Sequence, residues 1–333
     1  MVSSIDVAKL AGVSQTTVSR VLNNPESVNN TTLEKVNKAM KELNYRPNSI
    51  ARSLVSKKTG SIALISGPLH NPFFAETTTS IINYAKEKGF NVNVHFENSG
   101  DNMSVYKDVL NQQVDGIILS SVLYEDPVYE KLQQLDVPVM MFNRRHKEKG
   151  HFVEMDNIKA GKLAGEHLIE LNHKDIVWMG GPLTMSSFKG RLEGFKQALE
   201  AENLQLGSES TIITDTSKAS VLEAMKSLMA RRKRPTAIFA ATDSIAIYIM
   251  DFLIENGYNI PEDISIIGVD NVELSRHHSF QLSTVGTVQK ANLGRIAIEY
   301  LMDLIDMKEK PEDYFIEETL DTKLFKRLTT REI

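Results

Sequence analysis

Apolar side chains recur along the chain with two rhythms, and the change falls near residue 60. In the first 46 residues they form short clusters parted by turn formers. Ile5, Val7, Ala8, Leu10 and Ala11 are followed by Gly12, then by Val13, Val18, Val21 and Leu22. Leu33, Val36, Met40 and Leu43 are spaced three, four and three apart, one face of a helix that Thr31 or Thr32 can cap. Three short helices are predicted, with Pro25 and the Asn-rich stretch 28–30 separating the second from the third. A further helical segment, residues 49–57, follows Tyr45-Arg46-Pro47, and Lys58-Thr59-Gly60 ends it.

From Ser61 onward, short apolar strands alternate with amphipathic helices. The pattern predicts strands at 62–65, 92–96, 116–119, 138–142, 176–179, 237–241 and 264–269. Helices are predicted near 74–88, 103–111 and 191–201. Others are built around Leu168, Met225, Ile249 and Leu301. Parallel strands need crossovers, so repeated strand–helix units predict parallel α/β sheets covered on both faces. The 273 residues after Gly60 suit two lobes better than one sheet, with a ligand at the carboxyl ends of the strands.

Composition narrows the function. At 41% hydrophobic and 24% charged over 333 residues, the chain is ordinary globular material. The absence of cysteine excludes disulfide scaffolds, zinc ribbons, thiol nucleophiles and cysteine-held iron–sulfur clusters. The N-terminus lacks a basic and apolar leader, and no apolar run approaches the ~18–20 residues needed to span a bilayer. A soluble cytoplasmic protein with no membrane partner is expected. Net charge is −5, but residues 1–60 carry +5 and the remainder −10. A basic head on an acidic body suits contact with phosphate by one part only. No phosphate-binding glycine loop, nucleophile elbow or His-Glu-x-x-His run is present, and adjacent His277 and His278 are poorly spaced for one metal. No enzyme, cofactor or metal site is expected.

The head has the makings of a helix-turn-helix. Ala8, Gly12 and Val18 stand where two helices touch, turn and lock, and Gly12 tolerates a left-handed turn. Ser14 can cap the second helix, so Gln15, Thr16 and Thr17 project from its first turn, where major-groove base edges are read. Gln15 can pair with adenine, Thr16 can touch a thymine methyl, and Arg20 suits guanine or phosphate. Asn23, Asn29, Thr31 and the serines at the helix starts (Ser3, Ser4 and Ser14) offer phosphate contacts, and Ser19 is a further DNA-binding candidate.

The body offers four clusters, each at a predicted strand end. Asn71-Pro72-Phe73-Phe74 supplies two aromatic faces, and Gly190-Arg191-x-x-Gly194 lets a backbone approach closely beside a guanidinium at a helix start. Ala241-Thr242-Asp243 and Gly268-Val269-Asp270-Asn271 add polar groups, and Asp156 stands at the first passage between lobes. Plainer roles stand beside these: Phe74 in the core, Asp243 capping the next helix, Arg191 on a solvated face.

The run from Ile5 to Ser14, then Thr17-Val18-Ser19-Arg20-Val21-Leu22-Asn23, resembles the DNA-binding head of the lactose-repressor family of bacterial transcription regulators. Tyr45-Arg46-Pro47-Asn48 followed by Ala51-Arg52-Ser53-Leu54 resembles the family's hinge, and the similarity spans essentially the whole chain. The resemblance implies a three-helix head (1–47), a hinge helix or linker (48–60) and a core like the periplasmic sugar-binding proteins (61–333). Its first lobe is expected at about 61–158 and 290–318, its second at about 159–289 and 319–333. It further implies a homodimer on a pseudo-palindromic double-stranded operator, controlled by a small effector between the lobes. Leu54 is expected to wedge into the minor groove, while Tyr45, Asn48, Ala51 and Lys57 contact DNA. Arg191 and Asp270 are implied as the main polar effector contacts, with Phe73 and Phe74 opposite and Ser187 and Thr242 or Asp243 secondary.

A sugar or sugar phosphate fits this set first and a purine second; a phosphocarrier protein is a further partner the resemblance admits. Met185 replaces a polar residue of some relatives, and Lys290 replaces a common proline. No heptad tail follows the core, so a dimer rather than a tetramer is expected. A solute-binding protein without DNA function and an enzyme on a doubly wound fold are the rival classes.

Overall fold

The computed structural model describes residues 2–45, 59–96, 102–307, 309, 311 and 313–333, without the side chains of Asn23, Asn102 and Met103. It divides into two compact units, Met1–Thr59 and Gly60–Ile333. The expected hinge helix at 49–57, with Asn48, Ala51, Leu54 and Lys57, lies outside the described residues.

In the first unit, α1 (Ser4–Ala11), α2 (Gln15–Asn23) and α3 (Asn30–Glu42) surround a small core of Val7, Ala8, Val18, Val21, Val36 and Ala39. Ser3 and Asp6 cap α1 reciprocally, and the hydrogen bonds from Ser3 hold the Asp6 carboxyl below its usual range. Gly12 ends α1 at φ 66°, the left-handed conformation the tight turn requires. Asn29, not Thr31 or Thr32, caps α3: its side-chain oxygen accepts the Thr32 N–H at 2.8 Å. An Asn carbonyl reaches the third residue on as well as a hydroxyl does, so the helix starts two or three residues earlier than expected. Ile5 and Leu10 face solvent.

The second unit contains, in chain order, β1 (Ser61–Ser66), α4 (Pro72–Glu87), β2 (Asn91–Phe96), α5 (Asn102–Leu110), β3 (Gly116–Leu119), α6 (Tyr129–Gln133), β4 (Val139–Phe142) and β5 (His151–Met155). There follow α7 (Asn157–Glu170), β6 (Ile176–Gly180), α8 (Ser186–Ala201), β7 (Thr211–Ile213), α9 (Lys218–Met229), β8 (Ala237–Ala240), α10 (Asp243–Glu255) and β9 (Ser265–Val269). The last elements are β10 (Ser283–Thr287), α11 (Leu293–Asp306), β11 (Glu317–Leu320) and β12 (Thr322–Phe325).

These strands form two six-stranded sheets, ordered β11-β5-β4-β3-β1-β2 and β12-β10-β9-β8-β6-β7. Every pairing is parallel except β10 with β12. The chain passes between the sheets three times: at 155–157, between β10 and α11, and at Asp321. Each lobe therefore contains pieces from distant parts of the sequence. The first lobe's core gathers Ile62, Leu64, Ile118 and Phe142 beneath α4 and α11; the second gathers Trp178, Phe195 and Phe239.

Helices α7 and α8 pack at backbone distance. A methyl at Gly194 would come 1.8 Å from the Ile158 carbonyl oxygen, and one at Gly161 would come 2.0 Å from that of Arg191. The close approach expected of Gly194 is thus between two helices. Strands β5, β7 and β10 to β12 were not predicted: β7 has three residues, and the others are short or rich in Ser, Thr and Glu, so their hydrophobic signal is weak.

Candidate functional site

In the head, α2 divides cleanly. Val18 and Val21 are buried, whereas Ser14, Gln15, Thr16, Ser19 and Arg20 are exposed. Ser14 caps the helix by accepting the Thr17 N–H at 3.1 Å, and its hydroxyl also meets that of half-buried Thr17 at 2.9 Å. Thr17 thus takes part in the cap. Gln15 donates to the Ser4 hydroxyl at 3.1 Å, which fixes its amide beside the start of α1. Tyr45 is half-buried and packs on the head core, and the Asn23 side chain lies outside the described residues. A helix that seals one face and presents Gln15 and Thr16 from its first turn and Arg20 from its last is dimensioned for a groove ~12 Å wide.

In the second unit, Phe73, Phe74, Ser187, Arg191, Thr242 and Asp270 all line one cavity of about 40 Å³. Its other walls are Asn71, Asn143, Arg144, Phe188, Thr216 and Ser244. Each follows the carboxyl end of a strand: β1, β4, β6, β7, β8 or β9. Both sheets reverse their strand order there, β1 against β3 and β6 against β8, where open α/β sheets form a crevice. A wider groove of about 1460 Å³ adjoins it, shares Phe73 and Asp270, and includes Lys290.

Three cavity residues hold strained backbone: Asn143 at φ 66°, Thr216 at 70° and Asp270 at 124°. Such conformations persist only where surrounding structure enforces them. Phe73 and Phe74 meet edge to face, centroids 5.3 Å apart.

Arg191 lies in the second turn of α8. The helix begins at Ser186, five residues before the predicted start, because Met185 at the cap position makes no side-chain bond that would mark it. Arg191 is buried, not on a solvated face. Its Nη2 pairs with Asp270 Oδ1 at 3.0 Å, Nη1 donates to the Ala241 carbonyl at 2.5 Å, and Nε donates to Asn157 Oδ1 at 3.0 Å. Burial raises the Asp270 carboxyl against the downward pull of Arg191.

Asp243 does not cap α10. Thr242 does, accepting the Ile245 N–H at 3.2 Å. Asp243 is wholly buried and accepts from the Val272 N–H and the Thr284 hydroxyl, tying α10 to the loop that carries Asp270. Burial, then the charge of Asp270, pushes its carboxyl up. Asp156 caps α7 through the Lys159 N–H at 2.8 Å. Asn143 and Arg144 were missed, although they immediately follow a predicted strand; Thr216 follows a strand too short to predict. Among the described residues no group of His, Cys, Asp and Glu could hold a metal ion, and no helix is long and apolar enough to cross a membrane.

Comparison with known proteins supplies independent landmarks. Residues 5–48 match the family described as "Bacterial regulatory proteins, lacI family", and residues 166–330 match "Periplasmic binding protein-like domain". The chain is 36% identical over 313 residues to the HTH-type transcriptional repressor PurR of Proteus mirabilis, covering 92% of this chain and 91% of that one. Among solved structures, the Lac repressor dimer bound to operator and the anti-inducer ONPF superposes with a TM-score of 0.83 at 28% identity, covering 99% of each chain. A complex of the transcriptional regulator CelR with cellobiose gives 0.71 at 30% identity, covering 99% of this chain and 100% of that one.

Proposed function

Because the chain belongs to the lacI family of bacterial regulatory proteins, and is thus a DNA-binding transcription regulator, we propose that it represses by binding a pseudo-palindromic operator as a homodimer under the control of a small effector. It acts in the cytoplasm, where its DNA is. The observation that carries this reading is the pairing, in one chain, of a sealed recognition helix with exposed Gln15, Thr16 and Arg20 and a strand-end cavity built on Arg191 and Asp270.

The cavity chemistry favours a hydroxyl-rich ligand. A guanidinium has five N–H donors, and four of those on Arg191 are engaged by Asn157, Ala241, Asp270 and the Met155 sulfur, which leaves one on Nη1. With the second oxygen of Asp270, the pair presents a donor beside an acceptor, the complement of a sugar diol. A sugar or sugar phosphate is therefore the proposed effector. The Phe73–Phe74 pair also suits a flat ring, which keeps a purine as the second reading.

Differential affinity for two lobe arrangements couples the sites, so operator must alter effector affinity by the same factor as effector alters operator affinity. A gel shift of the full chain on DNA upstream of its own coding sequence tests the proposal, with a thermal-shift panel of sugars, sugar phosphates and nucleobases in parallel. Salt-sensitive, sequence-selective retardation is expected, changed by whichever compound raises the melting temperature. Retardation equal on any DNA refutes the regulatory reading.

A further inference from the structure

Arg191 is the inner end of a longer polar chain. Its Nε–H donates to Asn157 Oδ1, Asn157 Nδ2 donates to Glu154 Oε2 at 3.1 Å, and Glu154 Oε1 pairs with Arg145 Nε at 2.8 Å. The Arg145 N–H donates to the Ser186 hydroxyl at 3.0 Å, and its guanidinium lies over the Phe152 ring. The path begins in the β4–β5 loop of the first lobe, runs through β5, crosses with the backbone into α7, and ends on α8 of the second lobe.

Glu154 lines neither the cavity nor the groove, yet it is a buried carboxylate between buried Val153 and Met155. A carboxylate in that position is unfavourable unless paired, and an apolar residue there would simply extend the core. Its orientation has a direct consequence for the cleft. An ionised carboxylate only accepts hydrogen bonds, so Asn157 must turn its NH2 toward Glu154 and its oxygen toward Arg191. A protonated Glu154 can also donate, and Asn157 is then free to flip, placing two donors face to face at Arg191.

We propose that Glu154 and Asn157 are positioning residues of the cleft, which fix the orientation of Arg191 and tie it to the first lobe through Arg145. This deepens the reading of the cleft as an effector site and rests on it. The charged groups bearing on Glu154 are Arg145 from the β4–β5 loop and Arg191 from α8, with Asn157 facing it from α7. Burial outweighs their attraction and pushes the Glu154 carboxyl up to about 7, so the relay changes state near neutral pH.

The test needs no effector. In the full chain labelled with 15N-arginine, the Arg191 Nε–H is identified by its loss in Arg191→Lys. The wild type should show a slowly exchanging signal that titrates between about pH 6 and 8. In Glu154→Gln, which cannot ionise, the signal should stop moving with pH. In Asn157→Ala its exchange with water should quicken by about tenfold. Arg145→Met, which leaves α7 and α8 untouched, should raise the midpoint by removing the cation that favours ionised Glu154. An undiminished titration in Glu154→Gln, wild-type exchange in Asn157→Ala or an unchanged midpoint in Arg145→Met overturns the proposal. A thermal-shift panel of sugars, sugar phosphates and nucleobases on the same wild-type sample tests the parent reading separately, since the absence of any shift would refute the effector site and leave the resonance results standing.

Discussion

Replacing Arg191 with methionine removes the only ion-pair partner that Asp270 has among the described residues and keeps most of the side-chain volume. Both side chains are almost wholly buried, at 2% and 4% exposure, so water cannot take over the lost contact. Breaking such a pair costs about 4 kcal/mol, or roughly 8 °C of melting temperature at ~2 °C per kcal/mol for a unit of this size. The loss should depend on pH. Asp270 already has a carboxyl raised by burial, and without Arg191 it rises further, so the folded variant takes up a proton that the wild type has released. Between those two folded values the destabilisation grows as pH rises, by up to about 1.4 kcal/mol per unit. Arg191→Met is therefore expected to lose up to about 2.7 kcal/mol more at pH 8 than at pH 6. Arg191→Met combined with Asp270→Asn should lose the pH dependence and recover that portion. Urea unfolding of the full chain at both pH values measures each quantity. Equal losses at pH 6 and 8, with no recovery in the double variant, would falsify the claim that the pair shares a buried charge.

Other consequences are as direct. Ser14→Ala removes the cap of α2 and should lower head stability by about 1 kcal/mol, read from its thermal transition by circular dichroism. Gln15→Ala or Thr16→Ala should narrow the affinity gap between operator and base-substituted operators, whereas an unchanged gap in both would remove them from base reading. Gly194→Ala forces a methyl into the Ile158 carbonyl and should destabilise the second lobe by ~3 kcal/mol; a wild-type melting temperature would contradict the close approach. Burial pulls His167 from 6.5 down to about 4, so the unfolded chain binds a proton that the folded one refuses. Stability should then fall as pH drops from 6.5 toward 4, and His167→Gln should flatten that limb by up to ~3 kcal/mol.

Much of the architecture was legible because its helices and central strands are strongly periodic. The buried strands β1, β3, β6, β8 and β9 are short, largely apolar runs dominated by Ile, Val, Leu and Ala, with Trp178 and Met179 in β6 and Phe239 in β8. The edge strands β11 and β12 were illegible for the opposite reason: Glu317–Leu320 and Thr322–Phe325 owe their state to neighbours far away in sequence. In the cleft, residues just after recognisable strands were readable as candidates. Their partners were not, since nothing local links Arg191 to Asn157, or Asp243 to Thr284. The cap of α10 was assigned one residue late because Thr and Asp are both good N-caps, and only tertiary burial assigns the hydroxyl to the helix and the carboxylate to the loop.

The triple passage between the sheets makes the lobes interlaced, not sequential. A chain cut before Glu317 would lose an edge strand from each sheet at once, β11 from one and β12 from the other. Neither lobe can be excised, exchanged with that of another protein or inherited as a contiguous block. A proteolytic clip near the C-terminus would strip both halves of the second unit together.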